Sequence, residues 1–289
     1  MGLNIPVHGG CGTGCGGWRH HSRSERVDFV EGGVEVLELY IVLIGLAAAS
    51  FIGSLAYRVP RGISMITPSS FCPSCGRRLK AYELVPVVSY LVFRGKCRTC
   101  GRSIPIQLLI VEILTPLFYL FLYRRHGMTP LFFSFAYLIS LFLYLSLVDL
   151  DTGTVSAVDI GALYAGGLAT VFLSLRGLTA HSPREAIYGY GLCLGLLGVS
   201  VLIITLAGKR KSIGLGDLLI LPATALYVGL YGVIRVLLFS SVIGLLAGAS
   251  LVLLKKVDRD FRFPMLPFVA AGVGVEISLF YNNIVVWGL

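Results

Sequence analysis

Apolar residues run along this chain in blocks about as long as a bilayer is thick, and polar residues collect between the blocks. Crossing the hydrocarbon core as a helix takes about 20 apolar residues. Eight segments approach that length: 36–57, 104–123, 130–148, 155–175, 186–207, 218–230, 233–254 and 264–287. The sixth is short and is read as beginning inside the glycine-containing stretch before it. None alternates with the period of two that barrel strands need, so each is expected to be a helix, which satisfies its own backbone in lipid. The expected fold is an all-α polytopic membrane protein of about eight transmembrane helices. Its expected order is a tail at 1–35, a first transmembrane helix at 36–57, a polar loop at 58–103 and a helical bundle over 104–289.

Composition agrees with that reading. Of 289 residues, 56% are hydrophobic and 13% charged, where a soluble domain carries about 45–50% and 25%; the mean hydropathy is +0.83. The first apolar run starts beyond residue 35 and is long enough to span, so no cleavable secretion signal is expected. Within the tail, a glycine-rich stretch with Cys11 and Cys15 precedes Trp18, Arg19, His20, His21 and Arg23. It is read as a disordered tail or an over-extended start rather than as a metal or redox site.

The charge distribution sets an expected orientation. With eight spans, loops 58–103, 149–154, 208–217 and 255–263 share one side and hold 9, 0, 3 and 4 Lys/Arg, sixteen together. The other side holds eight: three in the tail, Arg124, Arg125, Arg176, Arg184 and Arg235. The positive-inside rule puts the first set in the cytoplasm and both termini outside, although the Arg124–Arg125 pair pulls the other way. A net charge of +9 would point to nucleic acid in a soluble protein. Here the cations flank span ends, where they meet lipid headgroups, and no nucleic-acid partner is expected.

Loop 58–103 carries Cys72-Pro73-Ser74-Cys75-Gly76 and Cys97-Arg98-Thr99-Cys100-Gly101. Two C-x2-C knuckles at this separation can close a tetrahedral four-thiolate zinc site, with glycine in each tight turn. A pair of disulfides is the alternative, but a cytoplasmic loop is kept reduced. Four protein ligands leave no open position, so the expected zinc is structural, a staple for a loop too small to build a core. Cys193, inside the fifth span, is expected to pack.

Two acidic motifs sit at span ends. Asp149-Leu150-Asp151-Thr152 ends the third span, and Gly214-Leu215-Gly216-Asp217 opens the sixth. Two spans lie between Asp149 and Asp217, so both acids and the cysteine loop fall on one face. A single such Asp would be a solvated cap. Two carboxyls sharing a desolvated site cannot both ionise, which leaves one as general acid and the other to activate water. Gly214 and Gly216 leave room for an extended backbone beside Asp217. Asp151 rivals Asp149 but lies further into the loop and is easier to solvate. Glu112, inside the second span, is expected to support the site; Glu276 in the eighth is unassigned, and Asp159 is read as solvated.

These residues resemble the bacterial type IV prepilin peptidases (leader peptidase/N-methyltransferase), over roughly residues 40–285. The likeness starts at Ser50-Phe51-Ile52-Gly53-Ser54 and Tyr57-Arg58-Val59-Pro60. It continues through Cys72, Cys75, Pro86, Ser89-Tyr90, Arg94-Gly95, Cys97, Cys100 and Val111-Glu112, and then Asp149-Leu150-Asp151-Thr152 and Gly214 to Asp217. It ends at Phe263-Pro264, Pro267-Phe268 and Gly272. The resemblance implies an aspartic endopeptidase of the bacterial inner membrane that removes the basic leader of prepilins and pseudopilins at the cytoplasmic face. Asp149 and Asp217 fall at its catalytic positions. It also implies methylation of the new N-terminus from S-adenosylmethionine, an activity associated with the cysteine loop. The chain departs from the family at Ser156 and Ala157, where a Pro-Asp pair is usual, at Leu219 for Lys and at Leu84 for Asn. Two other functions fit the residues less closely: a presenilin-like intramembrane protease, which shares the GxGD motif, and a non-enzymatic scaffold or ion carrier.

Overall fold

The computed structural model describes residues 24–178, 182–206, 215–253 and 264–281. The chain divides into two compact units, Met1–Leu39 and Tyr40–Leu289. In the first unit residues 24–39 are helical, the opening part of α1 (Ser24–Arg58). That helix begins well before residue 36, its expected start. The apolar block sets what can sit in lipid, but backbone hydrogen bonding continues upstream because no proline stops it between Ser24 and Glu35.

Among its described residues, the second unit is helical apart from short connections and the cysteine loop, whose one α-helical turn is α2 (Val88–Val92). The bundle continues with α3 (Ile106–His126), α4 (Pro130–Thr152), α5 (Ala157–Leu175), α6 (Pro183–Leu206), α7 (Leu215–Leu253) and α8 (Leu266–Val275). A π-helical stretch, Glu276–Phe280, extends α8. Among the described residues there are no strands, only the isolated bridges Phe71–Arg78 and Lys96–Ser103 in the loop. Among the described residues, six helices are long and apolar enough to cross a membrane, the sixth of them being Leu219–Leu253, and Leu266–Phe280 is a shorter apolar helix.

The expected sixth and seventh spans are fused in α7 without a loop. A helix of 39 residues would reach about 58 Å at 1.5 Å per residue, far more than the roughly 30 Å of a bilayer core. It is broken at Gly229, whose φ of 72° and ψ of −173° are closed to residues with a Cβ. The two rods have different neighbours. Before the break, Tyr227 donates its hydroxyl to the Leu163 carbonyl of α5 at 2.8 Å. After it, Arg235 holds Glu276 beyond α8 through two contacts of 2.7 Å. The unassigned Glu276 is thus the buried half of an ion pair, at 0% exposure.

α4 is the axis of this unit and packs against α3, α5 and α8. Phe135, Leu138, Phe142 and Leu145 are fully buried along it. Spacings of three and four residues keep these side chains on one face. Thr129 caps its start and Gly153 ends it, donating its amide to the Asp149 carbonyl at 3.0 Å. Cys193 is buried at 4%, as expected of a packing residue.

α5 corrects the reading of Asp159 as a solvated acid. Asp159 is only 6% exposed. Its carboxylate accepts from the Ser156 amide at 3.0 Å, the Ser156 hydroxyl at 2.8 Å and the Tyr144 hydroxyl at 2.8 Å. Ser156 in turn caps the Asp159 amide, a reciprocal capping box. Serine at this departure from the family pattern therefore starts the helix by a different route.

Candidate active site and metal centre

Asp149 sits in the last turn of α4, half-buried behind the fully packed Val148. Its Oδ2 accepts from the backbone amide of Leu266 at 3.0 Å. Leu266 is the first residue of α8, so the carboxylate lies at the end of a helix where unpaired amides and the positive dipole end favour an anion. One side chain thereby joins the end of α4 to the start of the last helix.

Asp151, two residues further along α4, is exposed and occupied elsewhere. Its Oδ2 lies 2.7 Å from Arg61 Nη1. Arg61 also stacks over the Tyr57 ring at 4.2 Å and donates to the Tyr57 carbonyl at 3.0 Å. The residues just after α1 are thus anchored to the turn that follows Asp149.

Asp217 is the third residue of α7, with α5 and α6 between it and Asp149. Gly216 is also in the first turn of that helix. The Asp217 side chain and Gly214 lie outside the described residues, as do the basic stretches at 209–211 and 255–262.

Glu112 reaches the cysteine loop from inside α3. Its Oε2 accepts from the Val87 amide at 2.7 Å. Val87 holds φ at 63°, a left-handed conformation costly for a β-branched residue. At the loop's entrance Arg58, 6% exposed, donates to the carbonyls of Ser64 at 2.7 Å and Pro68 at 2.8 Å. Sequence reasoning counted Arg61 only as a loop charge and Arg58 as a loop charge within the Tyr57–Pro60 segment of the family likeness, and gave neither a structural role. Their position directly after an apolar span, beside Tyr57 and Pro60, was the available sign of a structural role.

The four loop cysteines converge. The Sγ atoms of Cys72, Cys75, Cys97 and Cys100 lie within 4.8 Å of one another, with Cys72 and Cys100 at 3.9 Å. A tetrahedral ion about 2.3 Å from each sulfur spaces the sulfurs roughly 3.8 Å apart, so the donor set fits such an ion. The two knuckles repeat one backbone pattern. Cys72 N donates to Arg77 O and Gly76 N to Cys72 O, while Cys97 N donates to Arg102 O and Gly101 N to Cys97 O, all at 2.9 Å. Gly76 and Gly101 share a φ of 69°, the left-handed turn for which glycine is suited. The backbone amides of Cys100 and Thr99 lower the Cys97 thiol while burial and the neighbouring sulfurs raise that of Cys100, so the close-set thiols share protons that a bound ion would displace. Beside the first knuckle, Arg77 grips Glu83 at 2.8 and 3.1 Å and, with the Lys80 amide, holds that carboxyl below its usual range.

Residues 43–126, covering α1 from mid-helix, the cysteine loop and α3, match the model of the Bacterial Peptidase A24 N-terminal domain. The prepilin leader peptidase/N-methyltransferase of Myxococcus xanthus is 30% identical over 217 residues, which are 74% of this chain and 63% of that relative. Its namesakes in Bacillus subtilis and Pseudomonas aeruginosa are 28% and 25% identical, over 80% and 84% of this chain and 90% and 91% of their own. No solved structure matches. This kinship favours neither a non-enzymatic scaffold or carrier nor a presenilin-like protease. With the domain match falling on the four-cysteine loop and the alignments reaching across most of the bundle, the chain is homologous to the bacterial prepilin leader peptidase/N-methyltransferases.

Proposed function

We propose that this protein is a multi-pass inner-membrane aspartic endopeptidase that removes the leader of type IV prepilins and pseudopilins, with Asp149 and Asp217 as its catalytic carboxylates. One observation carries the reading: in a relative of prepilin leader peptidases, the half-buried Asp149 carboxylate is held at the start of α8 while its neighbour Asp151 is taken by Arg61. Two crossings, α5 and α6, return the chain to the end at which Asp149 lies, so Asp217 at the start of α7 faces the same surface. By the positive-inside rule that surface is cytoplasmic and both termini lie outside.

The chemistry follows from a carboxylate pair sharing one proton. The ionised member takes a proton from water, whose oxygen attacks the scissile carbonyl. The protonated member gives its proton to the departing amine. Gly214 and Gly216 have no side chains of their own next to Asp217 in the sequence, which would let the extended leader lie close. Asp151 supports the site by fixing Arg61, and Glu112 by fixing the cysteine loop.

Zinc is the ion proposed for Cys72, Cys75, Cys97 and Cys100, in a structural role because four thiolates leave no position open. S-adenosylmethionine would supply a methyl group to the new N-terminal amine.

Mass spectrometry of a co-expressed prepilin's N-terminus tests the proposal. The expected products are a trimmed, methylated chain with the native enzyme and an uncut one with Asp149→Asn or Asp217→Asn. Asp151→Asn is expected to cut still, and Cys72→Ser with Cys75→Ser to lose methylation before cleavage. Full trimming by either the Asp149 or the Asp217 variant would overturn the assignment.

A further inference from the structure

The cysteine loop does not end at its metal knuckles. Between them lies a segment with an unusual surface: Leu84, Val85, Val88, Leu91 and Val92 are 40%, 44%, 55%, 63% and 66% exposed. They surround α2, and basic residues follow immediately. Arg94, Lys96 and Arg98 are all exposed, with Arg98 lying 6.0 Å over the Phe93 ring and donating to the Tyr82 hydroxyl at 2.9 Å. The only carboxylate in residues 62–105 is Glu83, and Arg77 holds it.

This surface is fastened beside a membrane-spanning helix. Glu112 lies six residues beyond the first residue of α3, a descent of about 9 Å at 1.5 Å per residue. Its carboxylate holds the Val87 amide. Two further ties bring the segment back to the start of α3: Tyr90 donates to the Ile104 carbonyl at 3.3 Å, and the Ile104 amide donates to the Gly95 carbonyl at 2.7 Å. Ile106 and Ile110 of α3 are 52% and 48% exposed as well. They continue the apolar surface down the face of a helix that must itself lie in lipid.

We propose that residues 84–93 form an interfacial foot that inserts its aliphatic side chains at the headgroup–acyl boundary of an anionic bilayer, with Arg94, Lys96 and Arg98 on the headgroups. Depth and chemistry agree on that occupant. An apolar face rimmed by cations is the composition of a surface-seeking segment, and such segments sit about 5–10 Å into the boundary. Each cation near an anionic surface contributes about 1 kcal/mol. The left-handed Val87 is then intelligible, because it turns its amide toward Glu112 at the depth where water is scarce and an unpaired amide is costly. The metal knuckles on either side of the segment would thereby be held at a set height above the membrane. None of this depends on the peptidase reading, and its failure would leave that reading intact.

The test uses the full chain in nanodiscs containing phosphatidylglycerol, with Trp18 and Trp287 replaced by Phe and one tryptophan introduced at a time. Leu91→Trp, or Val92→Trp should the first variant fail to assemble, is expected to emit at short wavelength. Lipids brominated on the acyl chain should quench it at least about twofold more than Ser74→Trp, an exposed knuckle position. Aqueous iodide should quench in the reverse order. Removing phosphatidylglycerol should weaken the lipid quenching; equal quenching without it would overturn the role given to the cations. Iodide quenching of Leu91→Trp as strong as that of Ser74→Trp would overturn the insertion. Loss of lipid quenching when a prepilin-type transmembrane helix is co-reconstituted would make the surface a substrate dock and overturn its assignment to lipid.

Discussion

Asp149 and Asp151 share the last turns of α4, and their surroundings separate them. One is half-buried against the first amide of α8, and the other is exposed against Arg61. The motif alone ranked Asp149 first on ease of solvation, which is the same distinction in weaker form. Asp159 shows where such reasoning fails. Read as solvated, it is buried in a capping box and also receives the Tyr144 hydroxyl. No local pattern reveals that a tyrosine fifteen residues away points at it, because the pairing depends on how α4 and α5 cross. The serine three residues before Asp159 was the available signal, since Ser-x-x-Asp at the head of an apolar run is a helix start. Two substitutions separate the terms. Ser156→Ala is expected to cost about 1 kcal/mol, the ordinary worth of an N-cap. Asp159→Ala also leaves the buried Tyr144 hydroxyl without its acceptor, a further 1–3 kcal/mol or so. Thermal unfolding in detergent should place Asp159→Ala well below Ser156→Ala.

At the scale of elements, the apolar blocks located the helices because burial in lipid demands length, and length is countable. Their ends were less legible. α1 runs on upstream where polar residues continue the backbone ladder, and the sixth and seventh blocks meet at Gly229 rather than at the Tyr231-Gly232 boundary expected. The cysteine loop was more legible than any helix end. Its ligand spacing specifies a closed site, and the two knuckles repeat each other bond for bond. That repetition makes Gly101 a clean probe. Nothing lies within 4 Å of where its Cβ would go, so Gly101→Ala adds no clash and acts only through the φ of 69°. The left-handed penalty for an L-residue is about 1–2 kcal/mol. A fall in metal affinity of roughly five- to thirtyfold is expected. Competition with a chromophoric chelator would measure it, and Gly76→Ala should behave alike.

Across the whole molecule, the helices are joined by polar contacts between residues remote in sequence, and these were the least legible of all. Glu112 joins α3 to the cysteine loop, Arg61 the end of α1 to the last turn of α4, and Asp149 the end of α4 to α8 across 117 residues. The last helix is held at both ends. Asp149 receives its first amide, and Arg235 clasps Glu276 where the π-helical stretch begins. Glu276 is fully buried while the Arg235 side chain keeps 26% exposure, so the pair is inseparable for the glutamate more than for the arginine. Removing one partner leaves a charge uncompensated at a cost of about 3–5 kcal/mol, whereas replacing both by apolar groups of similar size is often close to neutral. Glu276→Ala is therefore expected to lower thermal stability strongly and leader removal with it, because α8 would be free to shift away from Asp149. Arg235→Met combined with Glu276→Leu should recover most of both. If the double substitution restored stability but not cleavage, the charges themselves would matter to the reaction. If it restored neither, the loss would lie in packing around Gly232, where a Cβ would come within 3.2 Å of Glu276 Oε1.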